Sequence, residues 1–390
     1  MAGTLENITE SARIPPSASD AEIDPGRPAD LRSSRFLRAC RGLATDRVPV
    51  WYMRQAGRYE ASYREIRKTK GLIDIVRDPA LCAEVTLHPV RALGVDAAIL
   101  FSDIMVPLGP MGVDYTLEEH VGPVLKSPVR TREDITALRR VDPEQDLPYV
   151  LETIREVTKT LARQLPSVPL IGFAGAPFTL LSYLVEGHPT RTFLETKRLM
   201  YRSPEQFRSL MERLADMVAT YLAAQARAGA GALMLFDSWA GALSPDDYET
   251  HVAPHVERIL RETRTLGVPR LLFGVDTAGL LEILGSLGAE VVGVDWRIPI
   301  REARKKLPPH VAVQGNLDPA LLFAPREHLL ARAATILSQG TTRPGFIFNL
   351  GHGVMPDTDP DALQALTRHV HAYAKGSSPP VPEGPHPDIL

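Results

Sequence analysis

Between residues 52 and 59 the chain reads YMRQAGRY, with two arginines four apart, two tyrosines outside them and Gly57 between them. Guanidinium forks match carboxylates and phosphates, so such a pair suits an anionic ligand. On a helical turn Arg54 and Arg58 would share one face; a solvated surface turn is the plainer reading. Asp103 stands just past the apolar run AAILFS, where a carboxylate is costly unless it meets donors or a cation. It reads as a cap or arginine partner, or as an anion at a pocket floor aimed at N–H groups or developing positive charge. Tyr183, in GFAGAPFTLLSY, could donate its hydroxyl to such an aspartate or be a core tyrosine with a wet tip. His352 lies between glycines in NLGHGV and reads as a loop histidine capping a carbonyl, or as part of a phosphate-binding loop. Ser238, in FDSWAG, has no neighbouring histidine and no G-x-S-x-G elbow, which argues against a nucleophile. The chain has no H-E-x-x-H motif, so no metal site is expected.

Eight apolar runs must position these residues: VPVWYM, AAILFS, PLIGFAG, ALMLFDS, RLLFGVD, VVGVDW, VAVQGN and GFIFNLG. Each is followed by a polar or glycine-rich loop and an amphipathic stretch with helix signals. Ser203-Pro204-Glu205-Gln206 predicts a capping box with proline at the first helical position. Ser244-Pro245, Asp318-Pro319 and Asp359-Pro360 repeat the cap-then-proline device, and Gly267, Gly340 and Gly376 are expected to close helices. Continuous apolar strands imply burial on both faces, as in a parallel sheet covered by helices. Eight strand–helix repeats predict an α/β fold, a single (β/α)8 TIM barrel with its active site at the C-terminal ends of the strands. An open doubly wound sheet is the competitor, but no G-x-G-x-x-G follows an early strand. The barrel explains why unusual residues recur at strand ends: Arg54 and Arg58, Asp103, the GAPFTLLSY segment, Asp237-Ser238-Trp239, Asp276, Asp295-Trp296, QGNLDP and NLGHG.

Composition narrows the partners. The 390 residues carry a formal charge of −3 with 23% charged and 44% hydrophobic residues, so no global field attracts nucleic acid or an acidic membrane. Cys40 and Cys82 are too few for a disulfide framework, and a reducing, cytoplasmic setting is expected. The N-terminal residues show neither a basic region nor an apolar core of a secretion signal, and no apolar run approaches a membrane span. Residues 1–30 and the Pro-rich end from 377 to 390 read as disordered tails.

Ordered along the chain, YMRQAGRY, LHPVRALGVDAAILFSDI, GFAGAPFTLLSYLVEG, FDSWAGALSP, VQGNLDP and FNLGHGVMPDTDP resemble the uroporphyrinogen decarboxylase family over roughly residues 33 to 375. The resemblance implies one (β/α)8 domain over 31–376, usually a homodimer, in the bacterial cytosol. It implies removal of CO2 from the four acetate side chains of uroporphyrinogen III, giving coproporphyrinogen III in haem biosynthesis, with no cofactor and no metal. The family's arginine-rich substrate-binding segment falls on Arg54, Gln55, Ala56, Gly57 and Arg58. Its central aspartate falls on Asp103, its tyrosine on Tyr183, its serine or threonine on Ser238 and its histidine on His352. Trp239, Arg297 and His88 depart from many relatives, and the N-terminal tail is longer. None of these departures is expected to touch the matched site, so they put oligomer surface and side specificity in doubt rather than the reaction.

A substrate with eight carboxylates needs arginine forks, which is the expected role of Arg54 and Arg58. Protonating a pyrrole would make the substrate its own electron sink, and Asp103 is the expected stabiliser of the resulting cation. Two other classes remain to be separated from this one. A related barrel class transfers methyl groups using zinc held by His and Cys, which predicts strand-end cysteines. A non-catalytic tetrapyrrole-binding protein would be expected to lose Asp103 or the arginines.

Overall fold

Seven of the eight apolar runs form strands, in chain order, because each is too apolar to lie anywhere but inside. The computed structural model describes Leu31, residues 33–118 and residues 122–373; the two expected tails and Gly376 lie outside the described residues. Its strands are β1 (Ala98–Ile99), β2 (Tyr115–Glu118), β3 (Gly122–Leu125), β4 (Leu170–Gly175), β5 (Ala232–Asp237), β6 (Arg270–Gly274), β7 (Val291–Gly293), β8 (Ala312–Leu317) and β9 (Phe346–Leu350). The order β1-β4-β5-β6-β7-β8-β9 is wholly parallel, a curled seven-stranded sheet. Every residue of β4, β6, β7, β8 and β9 is buried. Helices Pro148–Gln164, Pro204–Ala228, Ala253–Thr263, Leu281–Ser286, Ile300–Lys306 and Arg326–Gly340 lie between successive strands of this sheet, so the C-terminal ends of its seven strands emerge on the same side.

The first run behaves differently. Pro49 has no N–H to give a ladder, and the segment makes a single parallel bridge, Val50 to Phe348. Phe348 N–H donates to Pro49 O at 2.9 Å. Across the other edge Asp96 does a strand's work with two groups: its N–H donates to Val50 O at 2.8 Å, and its Oδ2 accepts Val50 N–H at 2.9 Å. His371 Nε2 at 2.7 Å and Arg47 Nη2 at 3.0 Å hold that carboxylate in place. Trp51 and Tyr52 are fully buried, with Trp51 Nε1 on Gln314 Oε1 and the Tyr52 hydroxyl on Thr367 Oγ1.

The helix signals were legible with two exceptions. Ser244, Asp318 and Asp359 cap their helices through the side chain, and Gly267 closes the short turn Arg264–Leu266 in the left-handed region. Ser203 makes no side-chain cap bond, so the expected capping box at that helix does not form, although Pro204 does start it. Gly340 is the last residue inside its helix rather than a terminator. A Cβ there would fall 2.4 Å from the Phe346 ring, so close packing explains this glycine. The sequence reading also omitted the antiparallel hairpin of β2 and β3, which follows the loop after β1 and is tied to the end of helix Pro177–Glu186 by Leu125 N–H to Gly187 O.

Candidate active site

Arg54 is set by β9 and the loop that follows it. Asn349, in β9, accepts the N–H of Met53 at 3.2 Å and that of Leu350 at 2.7 Å. Val354 N–H, from the loop after β9, donates to Met53 O. Arg54 takes the left-handed conformation, φ 59°, so the arginine pair does not ride a helical turn. Its side chain lies over Gly353, where a Cβ would stand 2.4 Å from Arg54 Cδ. Gly351 lies equally close to Trp296, 2.6 Å from its nitrogen by the same construction. The glycines beside His352 thus admit the Arg54 side chain at Gly353 and the Trp296 backbone and ring at Gly351.

Gln55 is fully buried and acts as a strut. Its Oε1 accepts Tyr52 N–H, its Nε2 donates to Ala97 O at 3.1 Å, and its carbonyl accepts the Tyr59 hydroxyl at 2.6 Å. Ala56, Gly57 and Arg58 are half-buried in the turns that follow. Arg64 Nη1 braces the carbonyls of Arg58 and Tyr59, both at 2.8 Å, and the Arg58 charge reaches the Tyr63 hydroxyl.

Asp103, half-buried, follows β1. Its Oδ1 accepts Met105 N–H at 2.8 Å, an Asx-type turn. Burial pushes the carboxyl above the ordinary carboxylate range, against the pull of that N–H and of the Arg54 charge. Tyr183 feels the same pair: burial, then the Asp103 charge, push its hydroxyl up to about 12, with Arg54 opposing. Tyr115, on the hairpin, is likewise raised by burial and by Asp103, and sequence reasoning missed it. Burial, then Arg54 and Arg297, press the His352 imidazole down to about 4. Arg54, Asp103, Tyr183 and His352 therefore share one electrostatic site. Ser238, one residue past β5, is half-buried, and no hydrogen bond among the described residues ties it to those four.

Beside Ser238, Asp237 is fully enclosed. It accepts the Thr179 hydroxyl at 2.8 Å and the Tyr248 hydroxyl at 3.2 Å, and burial raises it to about 6. Thr179 Oγ1 in turn accepts Trp239 N–H. The Trp239 ring lies 5.7 Å from that of Tyr183 and 5.1 Å from that of Phe193, an aromatic wall at the strand ends, so Trp239 packs against a matched site residue, contrary to expectation. A third charged group lies at the ends of β6 and β7, where Arg297 pairs with buried Asp295.

The cysteines lie elsewhere: Cys40 is buried in helix Arg35–Cys40, and Cys82, in helix Pro79–Leu93, donates to Phe101 O. Among the described residues no group of three or more His, Cys, Asp or Glu is arranged to hold a metal ion, and no helix is long and apolar enough to cross a membrane.

Comparison with known proteins bears on the same region. The profile of the family described as Uroporphyrinogen decarboxylase (URO-D) matches residues 31–373. A protein of Bacillus thuringiensis (strain Al Hakam) named uroporphyrinogen decarboxylase is 50% identical over 341 residues, 87% of this chain and 97% of that protein. One of Bacillus anthracis with the same name is 49% identical over the same spans. Among solved structures, a methyltransferase from Methanosarcina mazei superposes with TM-score 0.71 at 18% identity, covering 87% of this chain and 97% of its own. A B12-independent methionine synthase from Shewanella sp. W3-18-1 gives 0.51 at 12%, covering 78% and 90%. At those identities the structures share the fold alone.

Proposed function

Because this chain belongs to the uroporphyrinogen decarboxylase family, it is a carboxy-lyase of porphyrin biosynthesis acting on uroporphyrinogen, and we propose that Asp103 and Arg54 form its reacting centre. The observation that carries this assignment is the placement of one incompletely satisfied carboxylate among Arg54, Tyr183 and Tyr115 at the strand ends. The reaction converts each of the four acetates to a methyl group. Protonation of the pyrrole leaves positive charge shared with the ring nitrogen. The bond to the carboxylate then breaks, its electron pair neutralises the ring cation and CO2 leaves; the exocyclic methylene carbon gains a proton and the ring carbon gives up the one it took, so each acetate consumes one proton net. Asp103 accepts pyrrole N–H bonds and stabilises the cation as it forms, a preorganised electrostatic effect.

Arg54 and Arg58 hold substrate carboxylates; a guanidinium is too weak an acid to be the proton source. His352, held down near 4, is neutral at pH 7 and serves as a hydrogen-bonding group. Gly57 and Ala56 keep the arginine turn low enough for the macrocycle to approach. Ser238 and Tyr183 offer hydroxyls to a substrate edge, and Gln55 supports the segment from beneath.

We propose also that Pro49–Trp51 closes the curled sheet into the (β/α)8 barrel; the hydrogen bonds that Phe348 and Asp96 make on its two edges support this. The domain spans 31–376. A homodimer covering the strand-end face is supported by the exposed Leu194, Phe323 and Met355, which follow β4, β8 and β9. Two free, buried thiols suit the cytosol. The test is anaerobic incubation with uroporphyrinogen III, followed by separation of oxidised products by carboxylate number. Seven-, six-, five- and four-carboxylate species are expected; their absence from well-folded protein overturns the assignment.

A further inference from the structure

Arg297 is fixed on one edge and loosely held on the other. Its Nη1 donates to Asp295 Oδ2 at 2.5 Å, and its guanidinium lies 4.3 Å from the centre of the Trp296 ring. A planar cation stacked and bonded in this way has lost most of its rotamer freedom before any ligand arrives. Asp295, nearly solvent-free, is satisfied on both oxygens: Oδ1 accepts Arg297 N–H at 3.0 Å, and Oδ2 also accepts Asp276 N–H at 2.6 Å. Neutralising that buried acid therefore takes only one edge of the guanidinium. The Nε side faces Asp276 Oδ1 at 3.7 Å, beyond hydrogen-bond length, between side chains 39% and 65% exposed. A pair so open and so long adds little to stability.

The position of this open edge matters. Trp296 packs on Gly351, and Arg54 packs on Gly353, so the two arginine-bearing segments flank His352 on either side. We infer that Arg297 is a further substrate-binding residue, taking a peripheral carboxylate of the tetrapyrrole in place of Asp276, and that Asp276 is the internal competitor for that position. The inference rests on the decarboxylase reading and deepens it: the seat discriminates by the number of charged side arms, because each acetate converted to methyl removes one candidate carboxylate. If Arg297 served only Asp295, it would be a structural ion pair with no effect on substrate.

The experiment measures kcat and KM for uroporphyrinogen III anaerobically in wild type, Arg297→Lys and Asp276→Asn, with a melting curve for each. Arg297→Lys keeps a charge for Asp295 but loses the fork. It is expected to raise KM about tenfold while kcat changes by no more than about threefold, the pattern of lost ground-state binding. Partly decarboxylated species should also be released in a different proportion. Asp276→Asn removes the competitor and is expected to lower KM about threefold. Wild-type turnover with unchanged KM in a folded Arg297→Lys protein overturns the inference and leaves the decarboxylase reading intact. A raised KM in Asp276→Asn overturns it independently, should the arginine variant fail to fold. A folded wild type without turnover overturns both.

Discussion

Replacing Asp103 by asparagine separates charge from shape at the proposed centre, and the fold and the reaction should respond in opposite directions. Burial raises this carboxyl, and Met105 N–H and the Arg54 charge offset only part of that cost. Between the unfolded value and the raised folded one, the folded chain binds the additional proton, so the contribution of Asp103 to stability falls as pH rises through that window. At pH 7 its charge therefore costs stability. Asp103→Asn keeps an oxygen for Met105 N–H and should leave Tm unchanged or raise it. Catalysis should suffer. Opposite unit charges about 4 Å apart at an effective dielectric of about 20 attract by ~4 kcal/mol, equivalent to roughly 10³-fold in rate. The amide oxygen retains some of this for a forming pyrrole cation, so kcat should drop by ~10²- to 10³-fold. Single-turnover decarboxylation under anaerobic conditions, beside a thermal melt of the same preparation, measures both. A folded Asn variant within a few-fold of wild-type kcat would refute the electrostatic role, and a lowered Tm with normal kcat would make Asp103 a structural residue.

Asp96→Asn should lose about 3 kcal/mol in denaturant melts, the cost of breaking a buried ion pair, because it loosens the Val50 segment. Burial pushes the Asp96 carboxyl up, but His371, Val50 N–H and Arg47 together carry it below the ordinary range. Its stabilisation is thus present above the unfolded pKa and lost as pH falls through the lower folded one, and the variant's acid-unfolding curve should be flatter. The His352 ring should titrate near pH 4 by NMR, not near 6.5; a midpoint above 6 would remove it from the company of Arg54 and Arg297. Gly353→Ala should leave the chain folded and raise KM about tenfold by pushing Arg54 aside, and an unchanged KM would show that Arg54 does not hold substrate.

Strand ends were legible because a strand buried on both faces admits few polar residues, so the first charged or hydrogen-bonding group beyond it stands out. That signal located Arg54, Asp103 and His352 and counted the apolar runs. It did not reveal that the first run would be reduced to one bridge, since the partner of Val50 N–H is a side chain 46 residues away. Nor did it separate Gln55 from its neighbours. In RQAGR every residue reads as ligand-facing, yet Gln55 turns inward to Ala97 and Tyr52. The hairpin was missed because two four-residue strands carry too short an alternation to stand out from a loop.

Asp237 and Asp103 show most clearly where a sequence stops and a structure begins. ALMLFD and AAILFSD give the same signal, an aspartate at the end of an apolar strand. The fold gives Asp237 two neutral hydroxyls, from residues 58 and 11 positions away, and closes it from solvent. Each of its oxygens accepts one hydroxyl, and through Thr179 it fixes Trp239 and the aromatic wall against Tyr183. Asp103 has one backbone N–H as its hydrogen-bond partner among the described residues, and an arginine near enough to be felt but not bonded. A half-buried carboxylate in that condition loses free energy to partial desolvation that the Met105 N–H and the Arg54 charge return only in part. A ligand bringing N–H groups and positive charge would return it, and a protonated pyrrole brings both. The carboxylate with a hydroxyl on each oxygen braces the aromatic wall, and the one with a single backbone donor is the one we propose meets the substrate.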